Sequence, residues 1–273
     1  MLYICATPIG NLNDLSFRAA ETLKNAELIL AEDTRVTSKL LKFLDVNVKM
    51  LSYHEHNKAS RDEYVLQMLR DGKRIALVTD AGMPGISDPG GSLIKLCIDN
   101  DIEFEVLPGA SAVLLGVLYS GFEARNFYFE GFLPPKSGKR KKRLAQLENM
   151  QTLLVFYEAP HRVVQTLCDI LEVLGDIECS VSRELTKLYQ ETYRARVSQC
   201  IDKFSTSPPK GEFVITVNNS EKIQKICIDC QTLTDKLIEE GYNKKEAVKL
   251  AARQLGVPKR EVYNKVNKQQ LFE

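Results

Sequence analysis

The chain has 273 residues, of which 44% are hydrophobic and 27% are charged, and its formal net charge at pH 7 is +1. This balance is typical of a globular protein long enough for two domains, and it excludes a disordered or collagen-like chain. The apolar runs are far shorter than the roughly 20 residues of a membrane helix. The first run follows no basic leader, so we expect a cytoplasmic protein whose seven cysteines are reduced.

Short apolar runs alternate with helical periodicity through the first 120 residues. Strands are predicted over residues 2–6, 27–31, 48–53, 74–79 and 103–107. Among the helices between them, one is predicted to begin at a capping box formed by Ser60 and Glu63, and another to span 92–99. Strands joined through such helices pair in parallel by right-handed crossovers. The sequence therefore predicts an α/β protein whose N-terminal domain, residues 1–120, has an open parallel sheet.

Three loops rich in glycine and proline follow strands of this sheet, at residues 7–11, 80–91 and 108–112. The carboxyl ends of parallel strands lie at one sheet edge, which is where ligands bind in such folds. Four glycines and two prolines within 80–91 let the backbone approach a bound molecule closely. The loops match neither the dinucleotide fingerprint nor the P-loop. They favour a ligand with a nucleoside over a bare pyrophosphate.

A second set of elements begins after residues 131–135, where Pro134 and Pro135 predict a hinge. Strands are predicted over 152–157, 178–183, 189–195 and 212–217. They indicate a second α/β domain over 121–219, with more hairpin character and a cofactor cleft against the first domain. Residues 220–273 have helical periodicity throughout. Two interpretations of them stay open, a helix-turn-helix module that contacts nucleic acid and a plain three-helix cap.

Positive charge is concentrated in the back half of the chain. Residues 1–130 carry 13 Lys and Arg against 18 Asp and Glu, whereas residues 131–273 carry 24 against 18. The densest run places six positive charges in the eight residues 136–143, which is typical either of a solvated helix start or of a phosphate-binding patch. The candidate phosphate contacts are Lys139, Arg140, Lys141, Lys142 and Arg143 in this run, and Lys244, Lys245, Lys259 and Arg260 in the C-terminal helices.

Six motifs in order along the chain carry a resemblance to a known family. They are residues 6–16, 31–35, 78–90, 107–112, 156–162 and 182–187. Together they resemble the tetrapyrrole (corrin/porphyrin) methylase superfamily, and within it the methyltransferases that act on the cytidine 2′-oxygen of ribosomal RNA. The resemblance implies two α/β domains that bind S-adenosyl-L-methionine in their cleft, usually in a homodimer. It also implies a substrate in the decoding region of 16S rRNA on the 30S particle.

The resemblance assigns cofactor contacts to both domains. In the first domain they are Pro8, Gly82, Met83, Pro84, Ile86, Ser87, Ser111 and Ala112. In the second domain they are Tyr157, Glu184, Leu185, Lys210 and Gly211. One position departs from the superfamily pattern, because Met83 stands where many members have the aspartate of a Gly-Asp-Pro loop, so no carboxylate role can be transferred there.

Methyl transfer to a ribose hydroxyl depends mainly on positioning, together with a group that accepts the hydroxyl proton. We predict Asp33 or Glu158 as that proton acceptor, and Arg35 or Arg162 as a contact to phosphate or an oxyanion. Each carboxylate could instead cap the helix that follows it. His54 and His56 lack a third ligand at metal spacing, so no metal site is expected.

Two other functions compete with this one. The first is a methyltransferase that acts on a tetrapyrrole such as a precorrin, which the basic run and the helical C-terminal segment oppose. The second is a non-catalytic regulator that binds nucleic acid through the C-terminal helices, which the three cleft loops oppose.

Overall fold

The computed structural model describes residues 1–54, 57–206, 209–255, 257–259, 262, 263 and 266. Within them lie two five-stranded sheets and a helical C-terminal segment. The predicted α/β class is confirmed. In these residues, no helix is both long and apolar enough to cross a membrane.

The first sheet is entirely parallel. Its strands are β1 (Leu2–Cys5), β2 (Leu28–Ala31), β3 (Met50–Ser52), β4 (Ile75–Val78) and β5 (Phe104–Leu107). The spatial order β3-β2-β4-β1-β5 places β4 and β1 in the centre. All residues of β2 and β4 are buried, because helices cover both faces of the sheet and leave no side of these strands in water.

The second sheet is mixed. Its strands are β6 (Phe127–Phe132), β7 (Leu153–Glu158), β8 (Glu178–Arg183), β9 (Glu191–Arg196) and β10 (Phe213–Asn218). In the order β6-β7-β10-β8-β9, only β6 and β7 are parallel neighbours. The predicted hairpin character of this domain is confirmed by β8 and β9, which are consecutive and antiparallel.

Ten α-helices are described. They are α1 (Phe17–Asn25), α2 (Thr34–Phe43), α3 (Lys58–Arg70), α4 (Gly91–Asp99), α5 (Ala112–Ser120), α6 (Ser137–Leu147), α7 (Val163–Leu174), α8 (Val197–Ser205), α9 (Glu221–Glu239) and α10 (Lys244–Gln254). Helix α5 follows the first sheet but packs on the second. A Cβ at Gly116 of α5 would lie only 2.4 Å from Cγ1 of Val214 in β10, so glycine allows this close contact. The loop before α5 therefore lies where the two domains meet.

The C-terminal segment has a hydrophobic core of its own. Cys230 and Leu237 of α9 pack with Ala247, Val248 and Ala251 of α10. Val262 and Val266, which lie beyond α10, belong to the same cluster. This arrangement is compatible with both interpretations of residues 220–273, because packed short helices are found in helix-turn-helix modules and in plain caps.

Two local predictions are wrong. Helix α3 begins at Lys58 with Asn57 as its N-cap, so Ser60 lies inside the helix and does not start it. Pro134 and Pro135 form no hinge between the domains, since they follow β6 within the second domain. Their carbonyl oxygens accept hydrogen bonds from Nη1 of Arg140 at 3.4 and 3.2 Å, which ties the segment to α6.

Candidate active site

A cavity of about 660 Å³ lies between the two domains. Its first-domain wall comes from the loops after β4 and β5, and its second-domain wall from the ends of β6 and β7 and the start of β10. This volume is within the usual range for a small-molecule site, roughly 300–1,000 Å³. The walls are mainly apolar, with Ile9, Val113, Leu185 and Val214 among them. Such walls fit an aromatic ring system better than a highly charged ligand.

The structure brings eight of the thirteen predicted cofactor contacts to the cavity wall. They are Gly82, Met83, Ile86, Ser87, Ser111, Ala112, Tyr157 and Leu185. The other five do not line the cavity: Pro8, Pro84, Glu184 and Gly211 are each next to a lining residue in the sequence, and Lys210 is two residues from one. Lining residues that the sequence does not predict include Asp88 and Phe132.

A short bridge holds the loop after β1 against the loop after β4. Thr7 and Gly82 exchange two backbone hydrogen bonds, at 2.9 and 3.1 Å. The buried hydroxyl of Thr7 donates to the carbonyl oxygen of Thr79 at 3.0 Å. Pro8 follows Thr7 at this bridge and is not among the lining residues.

The second-domain wall is shaped by a loop with unusual backbone conformation. Glu184 and Thr186 have positive φ angles of 50° and 67°. The carboxylate of Glu184 accepts hydrogen bonds from Nζ of Lys187 at 2.9 Å and from the N–H of Glu212 at 3.0 Å. Across the domain boundary, the N–H of Asn11 donates to Oγ1 of Thr186 at 3.1 Å. These hydrogen bonds of Glu184 hold the loop in place and so help to position Leu185 in the cavity wall.

The predicted proton acceptor Asp33 is engaged by Arg35. The N–H of Arg35 donates to Oδ1 at 2.8 Å, and Nη2 lies 2.6 Å from Oδ2. Hydrogen bonds from the Arg35 side chain, and next from its backbone, lower the pKa of Asp33 to about 2. Asp33 also caps α2, so its geometry fits the capping alternative and makes it a poor base near neutral pH. The side chain of Arg35 is 88% exposed and remains able to contact phosphate.

The carboxylate of Glu158 is also occupied by hydrogen bonds and an ion pair, although the residue lines the cavity. It accepts hydrogen bonds from the hydroxyl of Thr166 at 2.6 Å and from the N–H of Ala159 at 2.8 Å. Nε of Arg162 lies 3.1 Å from Oε1, and Nη2 of Arg162 donates to the carbonyl oxygen of Leu133. These contacts give Glu158 and Arg162 a structural role in holding β7, the following turn and α7.

Three carboxylates beside the cavity, those of Glu32, Asp80 and Asp88, act on one another electrostatically. The N–H of Asp80 donates to Oε2 of Glu32 at 3.2 Å, and the N–H of Asp33 donates to Oδ1 of Asp80 at 3.1 Å. Burial raises the pKa of Glu32 and of Asp80. Burial also raises the pKa of Asp88, to about 6, and the negative charges of Glu32 and Asp80 add to the rise.

Two aromatic rings, those of Phe132 and Tyr157, line the second-domain side of the cavity. The ring of Tyr157 makes edge-to-face contacts with Phe129 at 4.8 Å and with Phe132 at 5.8 Å between centroids. Burial raises the pKa of the Tyr157 hydroxyl to about 12, so it keeps its proton at neutral pH. Phe132 is 57% exposed, which is unusual for a ring at the wall of a cavity.

The basic run splits into buried and exposed charges. The prediction that Arg140 contacts RNA is wrong, because its guanidinium is buried and Nε lies 2.6 Å from Oδ2 of Asp169. Lys141 pairs with Glu172, and Arg143 pairs with Glu130. Lys136, Lys139 and Lys142 are exposed at intervals of three residues along α6 and its N-cap. These three lysines are called the α6 lysine face below.

The C-terminal candidates are in part exposed. Lys244 and Lys245 are exposed in the first turn of α10, and Lys259 is exposed beyond it. Arg260 lies outside the described residues. So does His56, whereas His54 is described at the end of the β3 segment.

Six of the seven cysteines are free thiols: Cys5, Cys97, Cys168, Cys179, Cys200 and Cys230. The side chain of Cys227 lies outside what the structure describes. Among the described residues, no group of three or more His, Cys, Asp or Glu side chains could hold a metal ion.

The comparisons with known proteins agree on one family. The model of the tetrapyrrole (corrin/porphyrin) methylases matches residues 1–200. A relative from Bacillus subtilis (strain 168), named ribosomal RNA small subunit methyltransferase I, is 44% identical over 271 residues, 97% of this chain and 93% of the relative. A protein of the same name from Thermotoga maritima is 45% identical over 221 residues, 81% of this chain and 99% of the relative.

Solved structures share the fold at low sequence identity. The methyltransferase CobJ has a TM-score of 0.61 and 16% identity, covering 80% of this chain and 94% of its own. Uroporphyrin-III C-methyltransferase from Thermus thermophilus, complexed with S-adenosylhomocysteine, has a TM-score of 0.57 and 17% identity. The match covers 81% of this chain and 98% of that one. The two-domain architecture described above is therefore common to these proteins.

Proposed function

The chain belongs to the tetrapyrrole (corrin/porphyrin) methylase family, and from this premise we propose that it methylates small-subunit ribosomal RNA with S-adenosyl-L-methionine as donor. The proposed target is the 2′-oxygen of a cytidine in the decoding region of 16S rRNA on the 30S particle, in the cytoplasm. The observation that carries the proposal is an apolar interdomain cavity, one of whose lining residues is followed closely in the chain by the α6 lysine face. Phe132 lines the cavity and Lys136 follows four residues later, a span of at most about 14 Å.

The cavity fits the donor by size and by the chemistry of its walls. Apolar side chains such as Ile9 and Val214 can cover a purine ring, while Ser87 and Ser111 offer hydroxyl groups. The donor supplies a methyl group on a positively charged sulfur, which makes the leaving group good. We propose that the eight lining residues of the predicted set hold it and that Pro8, Pro84, Glu184, Lys210 and Gly211 shape the wall behind them.

The chain's own residues then position the acceptor and exclude water. The domains meet around the cavity through the Asn11–Thr186 hydrogen bond and the packing of α5 on the second sheet. The loop after β4 and Phe132 line the cavity from opposite domains. A nucleotide turned out of its stack can enter there, while its phosphates lie along the lysines outside.

Methyl transfer is tested directly with labelled donor. The purified protein is incubated with labelled S-adenosyl-L-methionine and, in parallel, with 30S particles that lack the modification, free 16S rRNA and a precorrin. We expect label in the RNA of the particles, on a ribose that resists alkaline cleavage. Label in the precorrin alone, or donor binding without transfer to any substrate, would contradict the proposal and favour one of the two competing functions.

We propose that RNA phosphates bind the α6 lysine face, with Arg35 and the exposed C-terminal lysines Lys244, Lys245 and Lys259 extending the surface. Replacing Lys136, Lys139 and Lys142 together by alanine is expected to weaken binding to the 30S particle. It should also flatten the slope of log affinity against log salt by about 2–3, since each of the three lost phosphate contacts removes about 0.7–0.9. Affinity measured at several salt concentrations checks this.

A matched triple variant in the first domain controls for loss of net charge. Lys24, Lys49 and Lys73 are exposed near the amino ends of β2, β3 and β4, at the sheet edge away from the cavity, and alanine at all three removes the same charge from a different surface. We expect the salt slope of this control to equal that of the wild type. Equal slopes for both triple variants would exclude the α6 lysine face from the RNA interface.

We also propose a homodimer formed through the outer face of α5. Leu114 and Leu118 are four residues apart on this helix and are 51% and 74% exposed. Exposed apolar groups that share one helix face are typical of an interface. Leu114 also lines the cavity, so a second copy on this face would adjoin the site.

Replacing Leu118 by glutamate is expected to weaken dimerisation by about 30-fold or more, since an unpaired carboxylate would be buried at the interface. Analytical ultracentrifugation over a range of concentrations measures this. Phe43→Glu, at an apolar residue 54% exposed on α2, is the control and should leave the dimer unchanged. A monomeric wild type, or a dimeric Leu118 variant of unchanged affinity, would contradict the proposed interface.

A further inference from the structure

As far as the structure describes it, the C-terminal segment, residues 220–273, contributes to neither sheet and does not line the cavity. The last strand ends at Asn218, and the residues that line the cavity lie between Ile9 and Val214. The relative from Thermotoga maritima is matched over 221 residues, which is 99% of its length. That relative is long enough for both sheets but too short to have a counterpart of the C-terminal segment as well. The segment is therefore an addition to a complete two-domain structure.

Positive charge in the C-terminal segment is concentrated in α10 and the residues after it. Residues 242–273 carry eight Lys and Arg against three Asp and Glu, whereas residues 220–241 carry three against five. Helices α9 and α10 pack on each other around the core that includes Leu237 and Val248. The segment thus has a folded core of its own and one strongly basic part, and this excess of positive charge favours an anionic partner.

Helix α10 exposes two lysines that lie one helical turn apart. Ala247 and Ala251 of this helix are buried in the core of the segment, whereas Lys245 and Lys249 are exposed. Two like charges four residues apart on a helix repel each other and destabilise it. Among the described residues, no acidic side chain forms an ion pair with either lysine. Their charge is therefore left for a ligand to neutralise, and the exposed Lys259 beyond α10 adds a third.

An exposed aromatic ring lies at the start of the same helix. Tyr242 is 44% exposed, while its N–H donates to the carbonyl oxygen of Leu237 at 3.1 Å. The next residue, Asn243, caps α10, because its Oδ1 accepts a hydrogen bond from the N–H of Glu246 at 3.0 Å. The backbone at Tyr242 is thus held in place, and Lys245 follows three residues later. Exposed aromatic rings beside cations are typical of surfaces that bind unpaired nucleotides.

We propose that the C-terminal segment binds ribosomal RNA of the 30S particle through a contact separate from the target nucleotide. Lys245, Lys249 and Lys259 contact phosphates, and an unpaired base stacks on the ring of Tyr242. The inference rests on the proposed function and extends it, because it assigns affinity for the particle to a part of the chain that takes no part in methyl transfer. The segment raises the affinity for the particle and leaves the transfer step unchanged.

The first test replaces Lys245, Lys249 and Lys259 of the full-length chain by alanine, with the first-domain triple variant again as the control. Filter binding to unmodified 30S particles at several salt concentrations measures the affinity. We expect this segment variant to bind at least about tenfold more weakly at low salt, with a salt slope flatter by about 2–3, and the control to match wild type. The affinity for S-adenosyl-L-homocysteine, measured by calorimetry, should stay within about twofold of wild type.

Single-turnover transfer at saturating donor separates affinity from chemistry. As the enzyme concentration rises, the rate of the segment variant should reach the wild-type plateau within about twofold. Half of that plateau should require at least about tenfold more of the segment variant than of wild type, because only binding to the particle is weakened.

The stacking contact is tested separately. Tyr242→Ala should weaken binding to the particle at least about fivefold without changing the salt slope, whereas Tyr242→Phe keeps the ring and should bind as wild type does. Tyr64→Ala, at a tyrosine 46% exposed on α3, controls for the loss of an exposed ring and should also match wild type. Equal affinities of Tyr242→Ala and Tyr64→Ala would exclude the stacking contact.

Three outcomes would overturn the inference. The first is a segment variant whose affinity and salt slope equal those of the control, which would make the C-terminal segment a plain cap. The second is weaker binding with an unchanged salt slope, which would assign the surface to a ribosomal protein. The third is a lower plateau rate with unchanged affinity for the particle, which would place these lysines in the transfer step. Absence of transfer by the wild type to every substrate would contradict the proposed function and not this contact, because the binding measurements do not require transfer.

Discussion

Replacing Arg140 by methionine is expected to lower the free energy of unfolding of the second domain by about 3–5 kcal/mol. The guanidinium and the carboxylate of Asp169 are both about 2% exposed, and their atoms lie 2.6 Å apart. Without its partner, Asp169 would keep a buried charge with only Ser137 and Gln165 as hydrogen-bond donors, and Lys141 3.9 Å away. Urea unfolding followed by circular dichroism, with hydrogen exchange to locate the change, measures the loss.

Two comparisons make this result specific to the buried pair. Lys142→Met removes a charge from the same helix with the same substituent, but Lys142 is exposed, so we expect a change within about 0.5 kcal/mol. The double variant Arg140→Met with Asp169→Leu removes both charges and should recover most of the lost stability. If Arg140→Met unfolds within 1 kcal/mol of wild type, the pair is not buried in solution and Arg140 could again be considered for RNA contact.

The burial of Arg140 could have been predicted from its spacing to the apolar residues of α6. Arg140, Leu144 and Leu147 are the buried residues of α6, at intervals of four and three. That is the pattern of a helix face that packs on a core. Arginine at such a position must be paired, and Asp169 on α7 supplies the partner. Residues 136–143 are mostly lysine and arginine, so a count of charges does not distinguish the buried Arg140 from the exposed lysines around it.

The parallel sheet was predictable because its signal is local. Each strand of the first sheet is a short apolar run, and the helices between the strands decide how they pair. Strand β6 is different, since four of its six residues are partly exposed and its pairing with β7 is irregular between Phe129 and Gly131. A strand at the edge of a sheet, interrupted by glycine, carries little of the alternation that predicts strands. For that reason Phe132 is not among the predicted site residues.

The sequence left open whether a carboxylate at a strand end faces the ligand or caps the helix that follows. Asp33 and Glu158 each end a strand, which predicts a place near the ligand edge, but their oxygens are taken by Arg35 and by Thr166. Residue type and position allow both alternatives, so only the hydrogen-bond partners in the structure decide between them.

Filling the cavity tests whether the donor binds where the two domains meet. Ala112→Trp is expected to weaken the affinity for S-adenosyl-L-homocysteine by at least about 100-fold, roughly 2.8 kcal/mol. Ala112 is partly buried at the first position of α5 and lines the cavity, so an indole there occupies space that a ligand would need. Because the cavity beside Ala112 has room for the added side chain, we expect the fold to be kept. Calorimetry measures the affinity, and circular dichroism checks the fold.

The same substitution outside the cavity separates steric blocking from the general effect of a large side chain. Ala145 is exposed on α6, and Ala145→Trp should bind the donor product as wild type does. In Ala112→Trp, binding to the 30S particle should also remain, because the lysines that carry it lie outside the cavity. Donor affinity within threefold of wild type in a folded Ala112→Trp protein would mean that the donor binds elsewhere. The cofactor contacts assigned to Gly82, Ser111 and Tyr157 would then have to be withdrawn, since they share this one space.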